Sequence, residues 1–202
     1  MILKNYYWYF TSALSKEVCD KIIELGLSSK IEKGTVGNPK DKYKVTKKSR
    51  DSDISWLNEK WIFNYLQPYV ETANKNAGWN FQWDFSESCQ FTIYKKNQHY
   101  GWHSDMKVDP YPADFWNINT RNKVRKLSMT VSLSDEKDYI GGDLEFDFRN
   151  SKDKAENIRI CSEIKPRGSI VVFPSFVFHR VKPVKKGTRY SLVMWSTGDP
   201  YK

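Results

Sequence analysis

The chain has 202 residues, three cysteines and a formal net charge of +9. This length suits one domain with a substantial core, and we expect a single domain over residues 1–202. The chain lacks a stretch of about 18 uncharged apolar residues, which argues against a transmembrane helix, and the aromatic N-terminus lacks the order of a signal peptide. The cysteines are odd in number and widely spaced, which argues against a disulfide framework or thiolate metal site and favours a cytoplasmic protein.

The first predicted element is a helix after Ser15. Val18, Ile22 and Leu25 recur at helical spacing, so they would form one apolar face. Gly26 follows directly and suits the C-terminal stop of a helix.

A second helix is predicted from about Asp53 to Ala73. Pro68 lies inside this range and should kink or end the helix, because proline cannot donate the interior hydrogen bond. The residues expected to form its apolar stripe are Leu57, Trp61, Tyr65 or Leu66, and Tyr69.

Between the two helices lies a basic stretch, residues 30–50, most of which we expect to be a loop. It holds eight basic residues against two acidic ones, a net +6. One interpretation is an electrostatic guide for an acidic partner or a nucleic acid. The other, which we favour, is a solvated loop, because charge blocks are commonly solvated.

From about Trp79 the apolar pattern changes from a helical period to alternation. We therefore expect a helical support region over 1–78 and a mainly β core over 79–202. Many short strands separated by turns are typical of a sandwich or barrel. The predicted strands are Cys89–Tyr94, Lys126–Ser134, Asp143–Phe148, Ser169–Phe173, Phe176–Val181 and Tyr190–Trp195.

Two separated motifs carry the chemistry. The first is His103-Ser104-Asp105, and the second is His179, which ends a strand-like run. Two histidines and one carboxylate can occupy one face of an Fe(II) octahedron and leave three positions open. Residues i and i+2 of a strand share a face, so His103 and Asp105 are expected to point the same way.

The last predicted strand adds a candidate anion site. Arg189 could grip the far carboxylate of a dicarboxylic acid at two points. Alternation places Arg189, Ser191, Val193 and Trp195 on one face of this strand. The predicted strand at 126–134 alternates in the same way, with small polar residues that could line a cavity.

Taken together, these motifs resemble the 2-oxoglutarate/Fe(II)-dependent dioxygenases, specifically their prolyl 4-hydroxylase-like group. The resemblance covers roughly residues 89–197, about half of the chain. The residues that carry it are Phe91–Tyr94, Tyr100–Asp105, Gly141–Phe146, Val172–Pro174, His179 and Arg189–Trp195.

The resemblance implies a double-stranded β-helix (jelly-roll, cupin-like) core supported by N-terminal helices. It implies that His103, Asp105 and His179 ligate Fe(II), and that Arg189 pairs with 2-oxoglutarate, supported by Ser191 and Tyr94. It also implies an enzyme that uses O2, takes ascorbate as reductant and hydroxylates an unactivated C–H bond with release of succinate and CO2. Tyr94 and Ser191 could instead be ordinary packed residues.

The substrate is expected to be a peptidyl proline. Trp195 stands where the nucleic-acid demethylases of the superfamily typically have a second arginine, and oxygen-sensing prolyl hydroxylases also have tryptophan there. Arg125 lies where related prolyl hydroxylases have a substrate-contacting arginine. Alternatives are a nucleic-acid base, bound with help from the basic stretch 30–50, a small molecule, or a jelly-roll binding module without catalysis. The sequence does not indicate an oligomeric state.

The loop over residues 106–123 follows the first metal motif immediately. It is rich in aromatic residues and prolines, including Tyr111, Phe115 and Trp116. We interpret it as a lid over the substrate, because binding residues favour loops beside a rigid scaffold. A packed surface loop is the alternative.

Overall fold

A computed structural model of the protein describes residues 3–37, 44, 46–153 and 156–201. Two helices, α1 (Lys16–Ser28) and α2 (Lys60–Asn76), precede most of the strands. Two short 3-10 helices lie at Ile118–Thr120 and Ser162–Ile164. The strands in chain order are β1 Trp8–Phe10, β2 Glu32–Lys33, β3 Arg50–Asp51, β4 Asp53–Leu57, β5 Phe85–Ser86, β6 Cys89–Tyr94, β7 His99–His103, β8 Val124–Ser132, β9 Tyr139–Gly141, β10 Leu144–Asp147, β11 Ile158–Ile160, β12 Ile170–Pro174, β13 Phe178–Val181, β14 Val184–Gly187 and β15 Arg189–Gly198.

The strands form two main antiparallel sheets, which we call the major and minor sheets. The major sheet has eight strands in the order β1-β12-β8-β15-β6-β4-β2, with β5 paired to β15. The minor sheet has five strands in the order β11-β10-β13-β7-β3, and β14 and β9 form a separate pair. Strands that are neighbours in a sheet but distant in sequence are typical of a jelly-roll, which confirms the predicted fold class.

The core has two layers because the strands of the major sheet alternate between them. On β12, Ile170 and Val172 pack with the helices, whereas Val171 and Phe173 face the minor sheet. Phe173 meets Phe146 of β10 edge-on, with ring centroids 5.0 Å apart. The alternation thus gives the major sheet one face for the helices and one for the interior of the jelly-roll.

The first predicted helix is confirmed, but not its predicted end. Ser15 caps α1 by accepting a hydrogen bond from the Val18 backbone N–H. The helix continues through Gly26 to Ser28. A Cβ at residue 26 would overlap the ring of Phe91, so this glycine allows α1 to pack closely on the major sheet.

The second predicted helix is correct only in part. Its first residues form strand β4, whose Leu57 is buried against the core, and the helix begins at Lys60. Pro68 lies inside α2 and does not end it. The buried face of α2 is displaced from the predicted stripe and consists of Ile62, Leu66, Val70 and Ala73. Packing on the major sheet selects this face, and Tyr65 is exposed.

All six predicted strands are present, although most of their ends shift by one or two residues. The strands that were not predicted are short or lack clear alternation, and they include β7, which carries His103. Part of the basic stretch 30–50 lies outside the described residues. Its described parts include β2 and end with the first residue of β3. Among the described residues, no helix is long and apolar enough to cross a membrane.

Candidate metal centre and co-substrate site

Two neighbouring strands of the minor sheet bring the two histidines together. His103 ends β7 and lies directly opposite His179 of β13 in the strand register. Asp105 follows two residues later, and its backbone N–H donates to the Ser175 carbonyl, 2.9 Å away. One ligand atom from each of the three residues lies within 4.8 Å of the other two. The structure therefore brings the predicted triad together, although Asp105 lies just beyond the strand.

Backbone carbonyls fix the orientation of both imidazoles. Nδ1 of His103 is 2.8 Å from the Gly101 carbonyl, and Nδ1 of His179 is 3.0 Å from the Val177 carbonyl. A carbonyl oxygen only accepts, so Nδ1 carries the proton and Nε2 has the free lone pair. Such outer contacts are typical of histidines that bind metals.

The carboxylate of Asp105 is held by side chains of the major sheet and its neighbouring turn. Ser128 Oγ donates to Asp105 Oδ2 over 2.7 Å and lies 2.9 Å from Ser175 Oγ. The histidine Nε2 atoms are 3.7 Å and 3.6 Å from the Asp105 oxygens. These separations exceed hydrogen-bond length, so the triad is not a hydrogen-bonded His–Asp pair. Three donors around a shared space fit a divalent cation such as Fe(II).

Burial and mutual proximity set the charges of this cluster. Burial, reinforced by His179, lowers the pKa of His103 to about 3. Burial opposes ionisation of Asp105, but the neighbouring histidines and Arg125 hold its pKa well below the usual range. A neutral imidazole at His103 and an ionised carboxylate are the forms that coordinate metal.

Arg189 lies at the start of β15, in the same cavity as the triad. Its side chain is only 2% exposed, and NH1 donates to Ser191 Oγ over 3.2 Å. Tyr94 lies directly opposite on β6, its ring 5.6 Å from the guanidinium carbon, and burial raises its pKa. Among the described residues, no ion pair links Arg189 to an acidic side chain. A buried guanidinium without a carboxylate fits an anionic ligand such as 2-oxoglutarate.

The Gly141-Gly142 turn makes room for this arginine. Both glycines have positive φ, 82° and 64°. A Cβ at Gly142 would lie 3.0 Å from Cδ of Arg189 and 3.0 Å from Cγ2 of Val184. The turn therefore borders the candidate anion site.

A cavity of about 590 Å³ joins these groups to the surface. The triad, Arg189, Ser191 and Tyr94 line it, as do Val193 and Trp195 of the same strand. The other face of β15, with Leu192 and Met194, lies in the core. The predicted division of this strand into a cavity face and a core face is therefore confirmed.

Trp195 and Arg125 form part of the cavity wall. Arg125 lies 3.8 Å above the Trp195 ring and binds Glu87 through two hydrogen bonds of 2.8 Å and 2.6 Å. Tyr111 also donates to Glu87, over 3.1 Å. The Trp195 Nε1 atom is buried and has no hydrogen-bond partner in the described part of the chain. The charge of Arg125 is therefore already matched, and its contact with substrate stays a prediction.

The structure adds three residues that the sequence did not single out, namely Glu87, Ser128 and Arg50. Ser128 belongs to the alternating polar face of β8, which was noted as a possible cavity lining without a specific role. Arg50 was grouped with a solvated basic loop, but it is only 6% exposed and lines the cavity. For this residue the solvated-loop interpretation is wrong, because β3 pairs with β7 beside the triad.

The loop over residues 106–123 lies at the mouth of the cavity. Tyr111, Phe115 and Trp116 line the cavity, and their rings form a chain with centroids 4.9 Å and 5.6 Å apart. Trp116 is 79% exposed. This position is compatible with the predicted lid, whose closure stays a prediction.

Comparisons with known proteins agree with this geometry. Residues 89–197 match the family model described as the 2OG-Fe(II) oxygenase superfamily. A PKHD-type hydroxylase from Alteromonas mediterranea is 33% identical over 106 residues, covering 52% of this chain and 41% of the relative. The PKHD-type hydroxylase YbiX from Escherichia coli is 33% identical over 105 residues, covering 52% and 40%. The chain thus matches less than half the length of these relatives.

Solved structures show the same fold at low sequence identity. A viral collagen prolyl hydroxylase from Paramecium Bursaria Chlorella virus-1, in complex with 2OG, has a TM-score of 0.65 at 19% identity, covering 96% of this chain and 97% of that one. A Trichoplax adhaerens prolyl hydroxylase in complex with a hypoxia inducible factor peptide has a TM-score of 0.66 at 16% identity, covering 96% and 84%. With the matched family model, the described fold and the His-Asp-His cluster, the chain belongs to the 2OG-Fe(II) oxygenase superfamily.

Proposed function

We propose that the chain is an Fe(II)- and 2-oxoglutarate-dependent dioxygenase that hydroxylates a proline within a peptide or protein. One observation carries this proposal. An open three-ligand cluster shares a cavity with Arg189, a buried arginine that has no acidic partner among the described residues. In this proposal residues 1–202 act as one domain. The three unpaired cysteines, all buried, support a cytoplasmic location.

The triad and the residues around Arg189 have separate roles in this proposal. His103, Asp105 and His179 hold Fe(II), and Arg189, with Ser191 and Tyr94, binds the far carboxylate of 2-oxoglutarate. Bound iron with 2-oxoglutarate and O2 supplies the oxidising power to hydroxylate an unactivated C–H bond, with succinate and CO2 as products. Ascorbate as reductant stays a prediction.

The protein itself positions the reactants and excludes water from them. Ser128 and the carbonyls of Gly101 and Val177 keep the three ligands aimed at one point before metal arrives. Such preorganisation avoids reorganisation during the reaction. Phe146 and Phe173 pack beside His179, with ring centroids 6.3 Å and 4.7 Å away, and so keep this side of the site apolar.

A peptide is the substrate class that the cavity supports best. The cavity is open to the surface and broad, and aromatic rings line its mouth, which suits a chain segment better than a free amino acid. The buried Trp195 Nε1–H has no acceptor among the described residues, and a main-chain carbonyl of the substrate could accept from it. The names of the similar proteins, PKHD-type hydroxylase and prolyl hydroxylase, support proline as the modified residue.

The test is hydroxylation of a library of proline-containing peptides with Fe(II), 2-oxoglutarate and ascorbate. We expect a mass gain of one oxygen atom in some peptides, succinate formed in equal amount, and no product with His179→Ala. Turnover of methylated nucleic acid instead, with an affinity that falls steeply with salt, would replace the peptide with a nucleic-acid substrate. Absence of both activities, despite metal binding, would favour a binding module.

A further inference from the structure

Arg50 is a second buried arginine beside the triad. Its Nε donates to Ser52 Oγ over 2.9 Å, and NH1 donates to the Thr35 carbonyl over 3.2 Å. The NH2 atom is buried and has no hydrogen-bond partner among the residues that the structure describes. A guanidinium has five N–H donors, so these two contacts leave three of them available.

The surroundings of Arg50 hold it in place. Its guanidinium carbon lies 4.5 Å from the ring of Tyr100, and Tyr100 stacks on His103 with centroids 3.6 Å apart and an interplanar angle of 11°. A Cβ at Gly34 would overlap Ser52 Oγ and Arg50 Nε. The absence of a side chain at Gly34 therefore leaves the space that the arginine occupies, and the guanidinium is fixed close to the metal ligands.

The charge of Arg50 distinguishes it from the other cavity arginines. Arg125 is matched by Glu87, and Arg189 is assigned to the co-substrate in the proposed function. Among the described residues, Arg50 has no ion-pair partner. A buried cation without a counter-charge is costly, and an anionic ligand would offset that cost.

The location of Arg50 points to the substrate as the source of that anion. Thr35, Arg50 and Tyr100 line the cavity together with His103, on the wall formed by β3 and β7. Arg189 belongs instead to β15 of the major sheet. Because the proposed function assigns Arg189 and the triad to 2-oxoglutarate, we assign Arg50 on the other sheet to a second molecule.

We propose that Arg50 binds a carboxylate of the substrate, so that the enzyme selects a peptide with an acidic residue close to the proline it hydroxylates. This inference rests on the proposed function and adds a substrate class to it. Arg50 acts as a specificity-determining residue, because an amide in place of the carboxylate would leave its charge uncompensated.

The test compares matched peptides that carry glutamate or glutamine one, two or three residues from a single proline. Their binding to the Mn(II)- and 2-oxoglutarate-loaded protein is measured by calorimetry, and their hydroxylation is measured with Fe(II). The best glutamate peptide should bind wild type about tenfold more tightly than its glutamine partner, as charge-assisted hydrogen bonds imply. Arg50→Gln should lose this preference and bind the glutamine peptide nearly as wild type does.

Lys48→Gln is the matched control, since it removes an exposed positive charge two residues away and should keep the preference. Arg50→Lys should retain part of the preference for the glutamate peptide. This variant keeps the test decisive if Arg50→Gln does not fold. An equal preference in wild type and Arg50→Gln would overturn the inference, and so would no preference in wild type. Weaker binding of 2-oxoglutarate to Arg50→Gln, with peptide preference unchanged, would assign the arginine to the co-substrate instead.

The calorimetric measurement separates this inference from the proposed function. If the glutamate peptide binds selectively but is never hydroxylated, the proposed proline hydroxylation fails while the Arg50 site stands. If proline peptides are hydroxylated without regard to acidic neighbours, the proposed function stands and the Arg50 inference fails. If no peptide binds, the inference is overturned.

Discussion

The inner end and the mouth of the cavity are built in different ways. At the inner end, His103, His179 and Arg189 belong to paired strands, and backbone or serine contacts fix the ligand atoms. At the mouth, the lining residues belong to segments 32–37 and 106–123, and Trp116 is largely exposed. Functional groups on rigid elements keep their geometry, whereas loops accommodate different ligands. The sheets therefore hold the groups whose geometry is fixed, Arg50 among them, and the loops form an entrance that can accommodate different ligands.

Of the inner-end substitutions outside the metal triad, Arg189→Gln should produce the largest effect. The affinity for 2-oxoglutarate should fall about 100-fold, because two charge-assisted hydrogen bonds to a buried carboxylate are lost. Metal affinity should be unchanged. Calorimetric titration of the Mn(II)-loaded protein with 2-oxoglutarate measures the co-substrate affinity, and chelator competition with Mn(II) measures the metal affinity. Arg189→Lys keeps the charge without the two-point geometry, so its affinity for 2-oxoglutarate should lie between those of wild type and Arg189→Gln. Unaltered 2-oxoglutarate binding in Arg189→Gln would show that Arg189 does not bind the co-substrate.

Ser128→Ala tests whether side chains that contact the metal ligands preorganise the inner end. Loss of the 2.7 Å hydrogen bond to Asp105 should lower metal affinity about 10- to 100-fold. Ser132→Ala is a matched control on the same strand, since Ser132 Oγ is buried and has no partner among the residues described. Equal metal affinities in the two variants would contradict the proposed preorganisation. Chelator competition with Co(II) or Mn(II) gives the affinities without requiring turnover.

A deletion within residues 110–118 tests the mouth separately. Peptide turnover should fall at least about tenfold, or roughly 1.4 kcal/mol, because the aromatic wall is lost. Metal affinity should not change, and loss of metal binding would contradict the division between the two regions. Trp116→Ala is the milder variant, and Tyr65→Ala, at an exposed aromatic residue of α2, is its control.

Gly142→Ala should have the smallest effect, and it tests whether the inner end extends to the turn beside Arg189. The positive φ and the 3.0 Å contact with Arg189 Cδ predict a loss of about 1 kcal/mol in the free energy of unfolding. The Kd for 2-oxoglutarate should rise a few-fold through the displaced arginine, with metal affinity unchanged. Gly78→Ala is the control, because φ is also positive there but the added Cβ meets no atom within 4 Å. If both variants changed 2-oxoglutarate binding equally, Gly142 would have no role in positioning Arg189.

The sequence predicted the inner end well because its information is local and periodic. The alternation along β15 assigned Arg189, Ser191, Val193 and Trp195 to one face, and all four line the cavity. The motif at His103 and Asp105 converges with His179, as expected, even though β7 was not predicted.

The sequence predicted the mouth and the support region less well because their structure depends on distant pairing. Glu87 is engaged by Arg125, 38 residues away, and no local pattern reveals that partnership. Arg50 belongs to a charge-rich segment, so composition suggested a solvated loop, whereas pairing of β3 with β7 buries it. Asp53–Leu57 fits a helical spacing, but pairing with β6 makes it a strand.

The central claim is that the triad and Arg189 form one iron and co-substrate site. The most direct test is an anaerobic titration of the protein with Fe(II) and 2-oxoglutarate, followed by the weak visible charge-transfer absorption of the chelate. We predict a band in wild type that disappears in His179→Ala and persists in His99→Ala, since the His99 ring nitrogens contact the backbone carbonyls of Asn97 and Lys48. Absence of the band at every ratio in wild type, or its persistence in His179→Ala, would contradict the account.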